Sequence, residues 1–210
     1  MPLLEVPATK SSLLALRRQL VFAEEGYALL DQKRELLLFE LGRVSARAAA
    51  VRRAAEAALA AAFSLLRGAE LAAGGAALDR AALGVALDHG LELTWRRLMG
   101  LRLPSVAAAA VRPGARFGPG GVPAGADAAM AAFAAAVPAL AELAGLETSR
   151  LRLARELKKT QRRCNALSKK LIPDCRETIA FLSASLEERE CESFVMLRIV
   201  RDRLRSAKPA

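Results

Sequence analysis

Alternate steps of three and four residues from Leu13 land on Leu13, Leu16, Leu20, Ala23, Tyr27, Leu30, Arg34, Leu37, Leu41, Val44, Ala48, Val51, Ala55, Ala58, Ala62 and Leu65. Only Arg34 in that series is polar. An apolar period of 3.5 residues held for so long keeps one stripe of a helix turned toward a partner helix, the pattern of a coiled coil. No proline interrupts Thr9 to Ala73; Thr9 or Ser11 can cap the start, and Gly74-Gly75 ends the run. At a rise of about 1.5 Å per residue such a helix is on the order of 95 Å long, more than a globular core can use.

A second stripe lies near the other end of the chain, at Leu153, Leu157, Thr160, Cys164, Leu167 and Leu171. It resumes one residue out of phase at Ile172, Cys175, Ile179, Leu182 and Leu186, beside Pro173, which removes a backbone donor and tends to kink a helix. Two such helices in one chain pack most simply as an antiparallel pair. Apolar residues make up 53% of the sequence but aromatics only 4%, and alanine supplies much of the rest, which suits narrow helix seams rather than a bulky core.

Between the helices, Leu101-Arg102-Leu103 alternates apolar and polar, Gly100 can open a turn, and Trp95 is the only tryptophan, so a short strand pair is expected. The stretch 111–125, with Pro113, Pro119, Pro123 and several glycines, reads as a mobile loop. The expected fold is therefore all-α, a long antiparallel two-helix coiled-coil hairpin with a short β-hairpin and loop between the helices. Its parts are residues 1–73, 74–126 and 127–210.

The residues that carry chemistry elsewhere are missing here. No GxxxxGK[ST] loop is present, and His89 is the only histidine, which speaks against His-rich metal sites and a Ser-His-Asp triad. Glu187, Glu188, Glu190 and Glu192 spread around a helix surface rather than pairing as acid and base. Cys164, Cys175 and Cys191 form no CxxC pair, and the start lacks a secretory pattern, which together suggest a reducing cytosol. No run reaches about 18 uninterrupted apolar residues, so any membrane connection is expected through partners. The net charge of +10 favours an acidic partner surface, a nucleic acid or an anionic membrane without choosing among them.

Several motifs resemble one family, in order along nearly the whole chain. Pro7-Ala8-Thr9-Lys10 and Gly26-Tyr27-Ala28-Leu29-Leu30-Asp31-Gln32-Lys33-Arg34-Glu35-Leu36-Leu37 are similar to the N-terminal signature of the D subunit of vacuolar/archaeal-type (V-type/A-type) rotary ATPases. Arg97-Leu98-Met99-Gly100-Leu101-Arg102-Leu103-Pro104 resembles that family's short hairpin. Most specific are Lys159, Thr160, Arg162, Arg163, Asn165, Ala166 and Leu167, followed by Leu171-Ile172-Pro173. The sequence departs with Cys164 where the family usually has valine and Ser168 where it usually has glutamate.

The resemblance implies a non-catalytic central rotor shaft, without cofactor, that carries rotation between a nucleotide-hydrolysing head and an ion-translocating membrane ring. It implies as partners the catalytic and non-catalytic nucleotide-binding A and B subunits, a small central-stalk F subunit, and a funnel-shaped C/d subunit above the ring. No nucleic acid and no direct membrane insertion are expected, and the location implied is cytoplasmic, peripheral to the membrane. The alternative is a coiled-coil scaffold or nucleic-acid-binding protein. Against it, the basic stretch has no interleaved aromatic residues for base stacking.

From Arg150 to Lys170 there are nine basic residues and one acid, Glu156. In an antiparallel pair this stretch is expected roughly opposite Arg43, Arg47, Arg52 and Arg53. Arg150, Lys158, Lys159, Arg162 and Arg163 would then complete a positive collar able to ride against acidic loops of the head. The Pro173 phase break is expected to bend the shaft and contribute to its asymmetry.

Overall fold

The computed structural model describes residues 6–83, 90–109 and 124–206, so the proline-rich loop and His89 lie outside the described residues. The fold is an all-α helical hairpin with a two-stranded sheet between its arms: α1 (Lys10–Ala73), α2 (Gly75–Ala82), β1 (Leu91–Leu98), β2 (Leu101–Ala108), α3 (Ala124–Ala166), a π-helical turn (Leu167–Leu171) and α4 (Ile172–Ser206). Two compact units are distinguished, one of Leu36–Leu157 and one of Met1–Glu35 with Lys158–Ala210.

Thr9 caps α1: the Ser12 amide donates to Thr9 Oγ1 at 3.1 Å, satisfying one of the orphan donors of the first turn. The stripe read from the sequence is the seam. Leu16, Ala23, Leu37, Val44, Ala48, Ala55 and Ala62 are buried, and the residues between them on the stripe are half-buried. Arg34, the polar member, pairs with Asp31 at 2.7 Å. Leu65 departs, lying 41% exposed while Ala69 takes the buried place. A helix of 3.6 residues per turn drifts from a strict 3.5 repeat, and over seven heptads the drift moves the seam by one position.

At the end of α1 the chain turns through 113° into α2, which the Ala/Gly composition had not indicated. Gly74 makes the turn with φ +78°, a backbone conformation that favours glycine.

In the unit of Leu36–Leu157, α1 and α3 run antiparallel. Leu37 and Leu153 share a core with Val44 and Leu103, and farther along Phe63 meets Phe133 edge to face at 5.1 Å. The expected strand pair is present and turns at Met99-Gly100, with Leu98 opposite Leu101, Trp95 opposite Pro104 and Leu91 opposite Ala108. Both turn residues have positive φ, +47° and +83°, as a two-residue hairpin turn requires. Leu98, Leu101 and Leu103 pack on the helical core.

Helix α3 begins at Ala124, slightly before the expected start. The continuous run Gly125–Arg205 is long and apolar enough to cross a membrane by length and composition, where counting uninterrupted apolar residues had suggested none. Its apolar part is alanine-rich, and Ala126, Ala129, Ala136 and Ala141 are buried inside the unit, while most of the apolar window faces outward, 22% of it being buried.

In the other unit the second stripe buries Thr160, Cys164, Ile172, Cys175 and Leu182. The one-residue phase slip between Leu171 and Ile172 is taken up by the π-helical turn, in which the Ile172 amide donates to Leu167 O. Pro173 has no amide for Lys169 O and its ring crowds that carbonyl, so widening the preceding turn by one residue relieves both defects. The helix then continues with the new phase. Glu24 pairs with Arg176 at 2.6 Å, and Lys10 with Glu190 at 2.5 Å.

Candidate functional site

Three of the four collar arginines of α1, Arg43, Arg47 and Arg52, are committed within their own unit. Arg47 pairs with Glu142 at 2.6 Å and Arg52 with Glu147 at 2.5 Å, and Arg150 takes the other Glu147 oxygen at 2.9 Å. Arg47 and Arg52 therefore lie across from the acids of α3, whereas the sequence had suggested the basic stretch after Arg150. Arg43 forks onto Glu40 through Nε at 2.9 Å and Nη2 at 2.6 Å. Of the α1 collar residues, Arg53 alone has no ion pair among the described residues.

In the other unit Lys158, Lys159, Arg162 and Arg163 are exposed and have no ion pair among the described residues. Their seam neighbours explain the motif. Thr160 and Cys164 point inward while the four cations occupy the outer positions of the same two turns, and Gln161 bonds Asn165 across one turn at 2.9 Å.

Glu40 is a buried charge held by two arginines. It lies on α1, 7% exposed, and accepts from Arg43 and from Arg96 of β1. The Arg43 guanidinium holds its carboxyl below the usual range, burial opposes that, and Arg96 adds to it. The pair with Arg96 latches the hairpin to α1. Helix α3 clasps the other side of the hairpin: Ser149 Oγ donates to Pro104 O at 3.2 Å and Arg152 Nη1 to Arg102 O at 2.7 Å. Gly145 permits this approach, because a Cβ there would lie 3.1 Å from the Val106 nitrogen. The Arg152 guanidinium also stands 5.0 Å from the Trp95 ring centroid.

A cleft of about 600 Å³ opens between α1, β2 and α3, with Arg43, Arg47, Arg96 and Glu142 at its polar edge. Every arginine in it is already paired with Glu40 or Glu142. Among the described residues no group of three or more His, Cys, Asp or Glu side chains could hold a metal ion. Cys164 and Cys175 are buried in the seam, and burial followed by the Asp174 charge pushes the Cys175 thiol upward, away from nucleophilic use.

The feature that the sequence reading missed is the end of α4. Glu190 pairs with Lys10, the first residue of α1, so the residues after it have no α1 beside them. From Cys191 to Arg205 every residue is exposed, including Phe194 at 70%, Met196, Leu197, Val200 and Leu204. At 100° per residue Phe194, Val195, Met196, Leu197, Ile199, Val200 and Leu204 fall on all sides of the helix. Comparing where the two stripes run out, at Leu13 and Leu186, could have shown it.

The geometry defines a helical-hairpin protein, with paired helices, a clasped strand pair and polar groups committed to structure or to outward-facing charge. The family model for the ATP synthase D subunit matches residues 12–202. The A-type ATP synthase D subunit of Methanosphaera stadtmanae is 34% identical over 92% of this chain and 92% of its own length. That of Thermococcus sibiricus is 33% identical over 95% and 94%, and the V-type ATP synthase D subunit of Thermus thermophilus is 34% identical over 95% and 89%. The chain belongs to the D-subunit family of the A-type and V-type ATP synthases, which are rotary ATPases.

Proposed function

We propose that this chain is the non-catalytic central shaft of an A/V-type ATPase, carrying rotation between a nucleotide-hydrolysing head and an ion-translocating ring. The observation that carries this reading is the bare end of α4. A helix with apolar residues on every side cannot be covered by a neighbour lying along one stripe; it needs a sleeve. A ring of nucleotide-binding A and B subunits provides such a sleeve, and contact on all sides lets the helix turn without a preferred face. The long seams suit torque transmission because each buried layer resists unwinding of the pair.

The exposed cations Arg53, Lys158, Lys159, Arg162 and Arg163 would face acidic loops of the surrounding subunits, with Arg43, Arg47, Arg52 and Arg150 held back by their own ion pairs. A small F subunit on the side of the shaft and a funnel-shaped C/d subunit above the ring complete the set of partners. The complex would sit on the cytoplasmic side, peripheral to the membrane.

A chain ending at Glu190 keeps the Lys10 pair and removes the bare helix. It should fold normally yet assemble at least about tenfold less well with the A and B subunits, since several large apolar side chains lose their cover. Reversing Lys158, Lys159, Arg162 and Arg163 together should weaken assembly further in low salt. Equal assembly and equal coupling by the full and shortened chains would overturn the reading.

A further inference from the structure

The two edges of the β-hairpin are treated differently. Leu98 and Leu101 flank the two-residue turn, so they and alternate pairs beyond them exchange ladder hydrogen bonds; the Ala109 amide donates to Gly90 O at 2.7 Å in the same phase. The residues in between turn their backbone groups outward. On β2 these are Arg102, Pro104, Val106 and Ala108. Helix α3 covers that edge through Ser149 and Arg152, and Pro104 sits where a missing amide costs no ladder bond. On β1 the outward residues are Leu91, Leu93, Trp95 and Arg97, and no described residue hydrogen-bonds to that edge.

The side chains of those four residues share one face of the sheet, and Leu91, Leu93 and Trp95 are 60, 55 and 50% exposed. No proline or bulge blunts this edge, as monomeric proteins usually arrange. On the same face Arg97 lies directly opposite Arg102, and neither has an ion pair among the described residues. Like charges directly opposite in a non-hydrogen-bonded pair destabilise a hairpin until an anion bridges them.

We propose that the open edge of β1 docks an extended acidic strand of another protein of the complex. The strand pairs its backbone with Leu91, Leu93, Trp95 and Arg97, lays apolar residues over Leu93 and Trp95, and brings a carboxylate to Arg97 and Arg102. The open edge selects an extended backbone, the exposed row selects alternate apolar residues, and the arginine pair selects the charge. This inference rests on the assembly reading above.

The test is hydrogen exchange read at single amides, in the isolated full-length chain and in the purified complex. The outward amides of Leu91, Leu93, Trp95 and Arg97 should exchange at least about tenfold more slowly in the complex, while the inward amides of Thr94 and Arg96 change little. Leu93→Pro deletes one outward donor without touching the ladder. It should leave Trp95 emission of the isolated chain unchanged and weaken retention of one partner protein by about fivefold, with Leu93→Ala milder. Arg97→Glu should weaken the same partner. Unprotected outward amides in an assembled complex would overturn this inference alone. Protection that appears in the isolated chain as its concentration rises would replace the acidic partner with a second copy. Failure of the wild-type chain to enter any such complex overturns the functional reading and this inference with it.

Discussion

Glu40→Gln tests whether one buried carboxylate holds the hairpin to the helices. The wild-type side chain accepts two bonds from Arg43 and one from Arg96, and it is 7% exposed. Breaking a fully buried ion pair costs about 3–5 kcal/mol, and an exposed pair is worth about 0–1 kcal/mol. Here the carboxylate is buried but Arg96 remains 52% exposed and can be rehydrated. The expected loss lies between the limits, about 2 kcal/mol, or roughly a thirtyfold rise in the detached population. Trp95 lies on β1 and is the only tryptophan, so its emission follows the hairpin while circular dichroism follows the helices. In urea the Trp95 transition should move to lower denaturant and separate from the helical one. Arg96→Gln should reproduce much of that loss, and Arg43→Gln less, since Arg43 lies on the same helix as Glu40. A Trp95 midpoint unchanged in Glu40→Gln would refute the latch, and so would a loss reproduced fully by Arg43→Gln alone.

Acid should act on the same latch. The Glu40 carboxyl titrates below its usual range, so its contribution is complete above about pH 4.3 and is lost as the pH falls through the lower folded value; Trp95 emission at falling pH should change in wild type more than in Glu40→Gln. Leu153→Ala, at a side chain with no exposed surface beside Leu37, should cost about 2–5 kcal/mol by denaturant titration, against less than about 0.5 kcal/mol for the exposed Leu151→Ala. Deleting Ser168 together with Pro173→Ala should turn the π-helical turn into ordinary helix and keep Cys164, Leu167, Ile172, Cys175 and Leu182 in one seam, with the thermal midpoint held or raised. Adding an alanine after Ser168 instead turns the downstream seam by about 100° and should unfold that unit. A midpoint lowered as much by the deletion as by the insertion would count against the π turn as the source of the slip.

The seams were legible because burial on a helix repeats with a period that composition cannot imitate. All the stripe positions of α1 except Leu65 are buried or half-buried, and the slip at Leu171–Ile172 fell where the phase arithmetic put it. Its cause was only half legible. Pro173 announced a defect, but whether a helix answers with a kink or a widened turn depends on whether the residues beyond can keep their packing, which is a tertiary matter. The strand pair was visible from Gly100 and the alternation at Leu101–Leu103, whereas the latch from Arg96 to Glu40 spans 56 residues and has no local signature. The same limit explains the α1 arginines: that Arg47 meets Glu142 and Arg52 meets Glu147 follows from the register of the two helices, which one sequence does not print. Helix α2 was hidden by glycine and alanine, which mark the end of one helix as readily as the start of another.

A shaft of the kind proposed must turn inside its complex. Met99→Cys in a Cys191→Ser background places a reactive thiol at the exposed β1–β2 turn, with Cys164 and Cys175 buried. A bead on that thiol, with the nucleotide-binding subunits fixed to glass, should rotate stepwise in one direction on addition of ATP and stop when ATP is withdrawn. ATP hydrolysis by the fixed complex while the bead shows only undirected thermal motion would contradict the account.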